Sequence, residues 1–266
     1  IGAKYVFRRS LARRLLGFLC MSRPLRRQRP GAVVEITSRT IHGRFLLLPT
    51  QAITAVILGV IGRALAKYGV VLHAFFFASN HYHLIVTIPD ISKLARFMNY
   101  LNCNIAREAG RMFGWREKFW GRRYRDIAIL DDAAQVERLH YLLSHGCKEG
   151  LIADPREWPG PTCVRALLEG TRLSGIWVDR TAEWYARRRG ETFDDDAYAE
   201  DVEFELTPLP CWAALGPTEQ RGKVLRLVEE IVETTRENNR AKNRKPSGVA
   251  KILGQHPHDH PKSPKR

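Results

Sequence analysis

Residues 70–88 constrain the fold of this chain more than any other stretch. Val70 to Ala78 is an almost unbroken apolar run containing Phe75-Phe76-Phe77, and its length suits a strand buried on both faces. Ser79-Asn80 then makes a short turn, and His81-Tyr82-His83-Leu84-Ile85-Val86-Thr87-Ile88 resumes as a second strand, so the two are expected to pair antiparallel. Side chains alternate along a strand, which puts His81, His83, Ile85 and Thr87 on one face and Tyr82, Leu84, Val86 and Ile88 on the other. Two imidazoles thus stand side by side, their Cα atoms ~7 Å apart, able to converge on one cation. A His-x-His pair is also an ordinary polar strand face, so further residues have to decide.

The flanking segments extend the pattern. Ala32 to Ser38 is β-branched and reads as an earlier strand. Thr50 offers an N-cap to a helix carrying Ile53, Val56, Ile57, Val60, Ile61, Ala64 and Leu65, which ends at Tyr68-Gly69. A second helix starts near Ser92, with Leu94, Phe97, Met98, Leu101, Ile105 and Met112 on one stripe. Trp115 to Trp120 is a basic aromatic loop, and Arg125 to Leu130 a fourth strand. Asp131 or Asp132 caps a third helix, with Val136, Leu139 and Leu143 facing the core and a stop at Gly146. The order β-α-β-β-α-β followed by a helix predicts an α+β protein with a ferredoxin-like antiparallel sheet and its helices on one face.

Composition narrows the partners. Lys and Arg number 43 against 28 Asp and Glu, a net charge of +15 in 266 residues, which favours a polyanion, nucleic acid ahead of a membrane surface. Five cysteines, none in a Cys-x-x-Cys pair, argue against a zinc ribbon and a secreted disulfide framework and fit a reducing cytoplasm. The apolar residues among the first twenty are broken by Arg8, Arg9, Arg13 and Arg14 and make no membrane span. Met21 is a plausible natural start, with the preceding residues an upstream extension of the reading frame. The expected organisation is a basic N-terminal extension over 1–31, a catalytic-type domain over 32–160, a mainly helical extension over 161–239 and a disordered basic tail over 240–266.

Tyr141 and His145 lie four positions apart, on one face of the third helix. Two strand imidazoles and one helix imidazole make three protein ligands with coordination positions left open, and a phenol beside them is a potential nucleophile. Taken singly, Tyr141 is equally a packing residue and His145 a cation completing a helix C-terminus. The charge of the chain and the joint spacing favour the common site.

Ser79-Asn80-His81-Tyr82-His83-Leu84-Ile85-Val86 resembles the histidine-hydrophobic-histidine (HUH) strand of the single-tyrosine transposases, especially the REP-associated tyrosine transposases. Phe119-Trp120-Gly121-Arg122-Arg123-Tyr124 resembles the family's Phe-x-Gly-Arg-Tyr segment, and Tyr141-Leu142-Leu143-Ser144-His145 its catalytic helix. Gly150-Leu151-Ile152 and Glu157-Trp158-Pro159 resemble the segments that follow. The similarity spans about residues 32–160 and departs from the pattern at His145, where the family commonly has Asn or Gln.

The resemblance implies metal-dependent cleavage and rejoining of single-stranded, hairpin-bearing DNA through a 5′-phosphotyrosine. Tyr141 would be the nucleophile, and His81, His83 and His145 the ligands of a divalent Mg2+ or Mn2+ ion. Arg39, Lys118, Arg122, Arg123, Arg125 and Lys148 would contact DNA, with Trp115, Trp120 or Tyr124 open to base stacking. No membrane partner is expected, a homodimer is open to the family, and the implied setting is the nucleoid of a bacterial cytoplasm. Two alternatives stay open: a non-catalytic or domesticated nucleic-acid-binding protein on the same fold, and another HUH endonuclease of the replication-initiator or relaxase type.

Overall fold

A computed structural model describes residues 28–194 and 196–262. The expectations for residues 1–20, for Met21 and for the last four residues of the tail lie outside the described residues. The chain forms β1 (Val33–Arg39), α1 (Gln51–Tyr68), β2 (Val71–Phe77), β3 (His81–Thr87), α2 (Ile91–Met112), β4 (Arg125–Ile129) and α3 (Asp132–Leu143) in that order. The strands make one antiparallel sheet in the order β2-β3-β1-β4, the ferredoxin-like arrangement predicted from chain order.

Local chemistry sets the boundaries. Thr50 accepts a hydrogen bond from Ile53 N at the start of α1, and Gly69 closes that helix in the left-handed conformation with φ 63°. Asp90 accepts from the amides of Ser92 and Lys93, starting α2 one residue earlier than expected, and Asp131 accepts from Ala134 N to cap α3. The third helix does not run to Gly146. It ends at Leu143 and resumes as one short turn, α4 (His145–Lys148), in which Gly146 is buried because a side chain there would press on Ile152 and Trp158.

The two helices of the βαββαβ unit, α1 and α2, pack together on one face of the sheet as expected, and α3, which follows that unit, lies on the other. The Tyr82 hydroxyl donates to Asn102 Oδ1 of α2 at 2.7 Å, whereas the ring of its neighbour His83 lies 5.7 Å from the Tyr141 ring of α3. Consecutive strand residues point opposite ways, so α2 and α3 sandwich β3 between them. Among the described residues α1 alone has the length and apolarity of a membrane span, yet Ile53, Ile57 and Ile61 on it are buried in the core.

After α4 come α5 (Val164–Glu169), β5 (Leu173–Val178), α6 (Arg180–Arg188), β6 (Ala199–Phe204), α7 (Pro217–Ala241) and α8 (Val249–Leu253). The extension read as mainly helical therefore also holds a two-stranded antiparallel sheet, β5 and β6, with α6 between its strands. This sheet docks on α1 through two glycines: a Cβ on Gly59 would collide with the backbone of Ile176, and one on Gly175 with the backbone of Gly59 and Ala55. Gly59→Ala is expected to destabilise the protein by ~1–3 kcal/mol, the usual cost of overpacking. Thermal or denaturant unfolding reads the effect, and an unchanged midpoint would mean that the small sheet docks loosely.

Residues 240–262, expected to form a disordered tail, are packed on the fold instead. Ile252 of α8 is buried, Ser247 N and Gly248 N donate to Gly150 O and Leu151 O, and Ser79 Oγ donates to Gln255 Oε1 at 2.9 Å. The tail carries Ile252 and well-placed backbone donors among its charges, so composition alone misjudged it.

Candidate metal centre and nucleophile

β3 brings His81 and His83 to the face that α3 and α4 cover. The three imidazoles converge: ring centroids lie 5.3 Å apart for His81 and His83, and 4.7 Å from each of these to His145. One nitrogen from each ring can be chosen so that all three lie within 4.8 Å of one another, and this is the one such cluster among the described residues. His83 and His145 are buried, while His81 is half-buried. The Tyr141 ring packs edge-on against both His83 and His145, at 5.7 and 5.6 Å.

Two neighbours fix the tautomers. His81 Nδ1 donates to Asn80 Oδ1 at 2.6 Å, and His83 Nδ1 donates to the buried Glu35 Oε1 at 2.8 Å. Both rings are then bare at Nε2, with a lone pair for a cation, and the carboxylate behind His83 fixes the orientation of its ring. His81 Nε2 lies 2.7 Å from His145 Nε2; with the first bare, this hydrogen bond is donated by His145. The other nitrogen of His145, Nδ1, is buried without a hydrogen-bond partner. Three convergent imidazoles, two of them oriented from behind, could hold a divalent transition-metal ion with coordination positions left open.

Burial favours the neutral form of two of the three imidazoles, His81 and His145. Burial, reinforced by repulsion from His145, His83 and Arg39, pulls His81 down to about 2. Burial followed by His83 and Lys148 pulls His145 down to about 3. The Tyr141 phenol is pushed above its ordinary value, first by burial and then by the negative charges of Glu35 and Glu149, with Arg138 opposing. Lys148 Nζ sits 4.4 Å from the centre of the Tyr141 ring.

Glu35, Asn80 and Arg138 were not singled out from the sequence. Arg138 Nη1 lies 3.4 Å from Glu35 Oε2, which satisfies the second carboxylate oxygen. The available signal was Glu35 itself, the one acidic residue in the apolar strand β1, at an even spacing from Thr37 opposite His83. Glu35→Gln is expected to weaken Mn2+ binding about 10–100-fold, as losing the orienting partner of a ligand does. Isothermal titration measures it, and an unchanged affinity would show that packing alone sets the His83 ring.

The six cations expected at DNA are all exposed, but they fall into two groups. Arg39 pairs across the strands with His81, and Arg125 with Thr37 on the histidine face; Lys148 covers Tyr141. Lys118, Arg122 and Arg123 instead line a groove of about 1480 Å3 against α2 that contains none of the histidines. The aromatic residues there are partly structural. Trp120 Nε1 donates to Asn102 O at 2.9 Å and its ring packs on Tyr82, while Trp115 lies between Arg44 and His258.

Residues 42–141 match the family model of IS200-like transposases, and the resemblance to single-tyrosine transposases read from the sequence is borne out by this match. Among solved structures, a REP-associated tyrosine transposase bound to a REP hairpin is similar, at 19% identity with a TM-score of 0.48, covering 56% of this chain and 87% of that one. A protein of Deinococcus radiodurans R1 described as a transposase is similar at 13% identity with a TM-score of 0.31, over 45% of this chain and 95% of that one. A search of curated protein sequences finds no match.

Proposed function

We propose that this chain is a transposase that cleaves and rejoins single-stranded, hairpin-bearing DNA through a covalent tyrosine–DNA intermediate. The observation that carries the reading is the convergence of His81, His83 and His145 with Tyr141 packed against two of the three rings. A divalent ion, Mg2+ or Mn2+, held by those histidines supplies charge neutralisation at the scissile phosphate when bound.

The residues do the rest. Arg39, Arg125 and Lys148, exposed around the histidine face, hold the phosphates of the strand, and Lys118, Arg122 and Arg123 hold an adjoining part of the DNA. The Tyr141 oxygen forms a bond to the scissile phosphorus while the bond to the 3′ oxygen breaks, and the phenol proton ends on the departing 3′-hydroxyl. The 5′-phosphotyrosine conserves the phosphodiester, so attack by another 3′-hydroxyl reverses the step and joins strands without ATP. Because the phenol is held above its ordinary range, it stays protonated until attack, when the Lys148 ammonium over its ring favours the developing phenolate. The proposal sets the protein on DNA in a bacterial cytoplasm, as a monomer or homodimer.

The test is to incubate the full chain with Mn2+ and labelled single-stranded hairpin DNA and to map any protein–DNA adduct by peptide mass spectrometry. The label is expected on Tyr141. Absence of an adduct with every strand would favour the non-catalytic binding protein, and an adduct on a different tyrosine would favour another HUH endonuclease.

A further inference from the structure

The C-terminal extension builds one wall of a second cavity beside Tyr141. This pocket, of about 530 Å3, lies between α3–α4 and the end of α7, with Tyr141 and Lys148 on one side and Asn238, Asn239, Lys242 and Arg244 on the other. Its volume falls within the ~300–1,000 Å3 usual for small-ligand sites. Three cations face one acid, Glu137, across it, so it favours an anion. The floor is apolar, formed by the buried Cys147 and Ile231.

Arg244 is exposed, but hydrogen bonds hold it in place. Its backbone N donates to Asn239 O at 2.9 Å, and its Nη2 donates to Glu149 O at 3.2 Å. Its guanidinium lies flat on Gly150, where a Cβ would occupy the same space, and Gly150 takes φ 67°. Ser247 and Gly248 then clip the following chain to Gly150 and Leu151. Guanidinium and ammonium groups suit a phosphate. The amides of Asn238 and Asn239 both donate and accept, as the edge of a base requires, and the apolar floor suits its face.

We infer that this pocket binds one nucleotide of the substrate strand next to the scissile phosphate, by its phosphate and its base. The inference rests on the proposed function for the identity of the strand, and it makes α7 and residues 242–244 part of substrate recognition. A nucleotide is the common chemistry; a free nucleoside monophosphate and a nucleotide within a strand are its two sources.

The experiment reads binding, not cleavage. Full-length Tyr141→Phe protein, unable to form the adduct, is titrated with fluorescent single-stranded oligonucleotides carrying 5-iododeoxyuridine at successive positions, and photo-cross-links are mapped. Cross-links to residues 231–244 from one position are expected, and the pair Lys242→Glu with Asn238→Ala, both exposed, should weaken strand affinity about tenfold. Competition by free deoxynucleoside monophosphates would show that the pocket also takes the free form; its absence would show that the strand is needed. Cross-links that never fall on 231–244, or unchanged affinity in a variant with the wild-type melting temperature, overturn the inference. A variant that fails to fold leaves the cross-link map to decide. Failure to find an adduct in the wild-type protein counts against the proposed function alone, because no arm of this test uses cleavage.

Discussion

Tyr141→Phe is expected to abolish the covalent protein–DNA adduct, lowering strand cleavage by about 10^4-fold or more, as loss of a nucleophile does. The fold and the affinity for Mn2+ should stay unchanged. The substitution removes one oxygen and keeps the ring, which packs on His83 and His145 and lies under Lys148. Denaturing gels score the adduct, thermal melting the fold and calorimetry the ion. Tyr82, between the two histidines in sequence, is no substitute nucleophile. It is fully buried on the opposite face, bonded to Asn102, with its phenol pushed far up by burial. An adduct surviving in the Phe variant would move the nucleophile to another tyrosine and remove the central assignment.

His81→Ala with His83→Ala is expected to give the second large effect: Mn2+ affinity falls by more than about 100-fold, beyond what loss of an orienting partner causes, and cleavage falls with it. Strand binding should weaken little, since Arg39, Arg125 and Lys148 remain. Calorimetry with Mn2+ and anisotropy with a single strand separate the two readouts. His145→Asn adds a sharper comparison, because it installs the amide common in the resembling family. An amide oxygen can still ligate, so this variant is expected to keep cleavage and shift preference from Mn2+ toward Mg2+. Full Mn2+ affinity in the double variant would mean that the cluster is a hydrogen-bonded histidine group and not an ion site.

The pair His81 and His83 and the helix residues Tyr141 and His145 were legible because each depends on a short-range period. Alternation puts the first two on one strand face, and a four-residue step stacks the other two. Caps such as Thr50 and Asp131 were equally legible, because a cap bonds amides within three residues of itself. Gly146 shows the limit of such signals. It reads as a helix stop but serves as a place where Ile152 and Trp158 come close, which is a packing fact.

By itself, then, the sequence determined the order of elements through α3, the antiparallel pairing of β2 with β3 and the face on which the histidines stand. The tertiary structure decided that α3 crosses to the face opposite α2 and that the predicted cations divide between the histidine face and a separate groove. It also decided that Glu35 and Asn80 orient the two strand histidines, and that residues 240–262 pack on the fold instead of trailing away, with Lys242 and Arg244 beside Tyr141. The reason is physical. Periodicity and capping are set by bonds a few residues long, whereas the meeting of Glu35 with His83, or of Arg244 with Gly150, depends on strand register and on the packing of segments far apart in the chain.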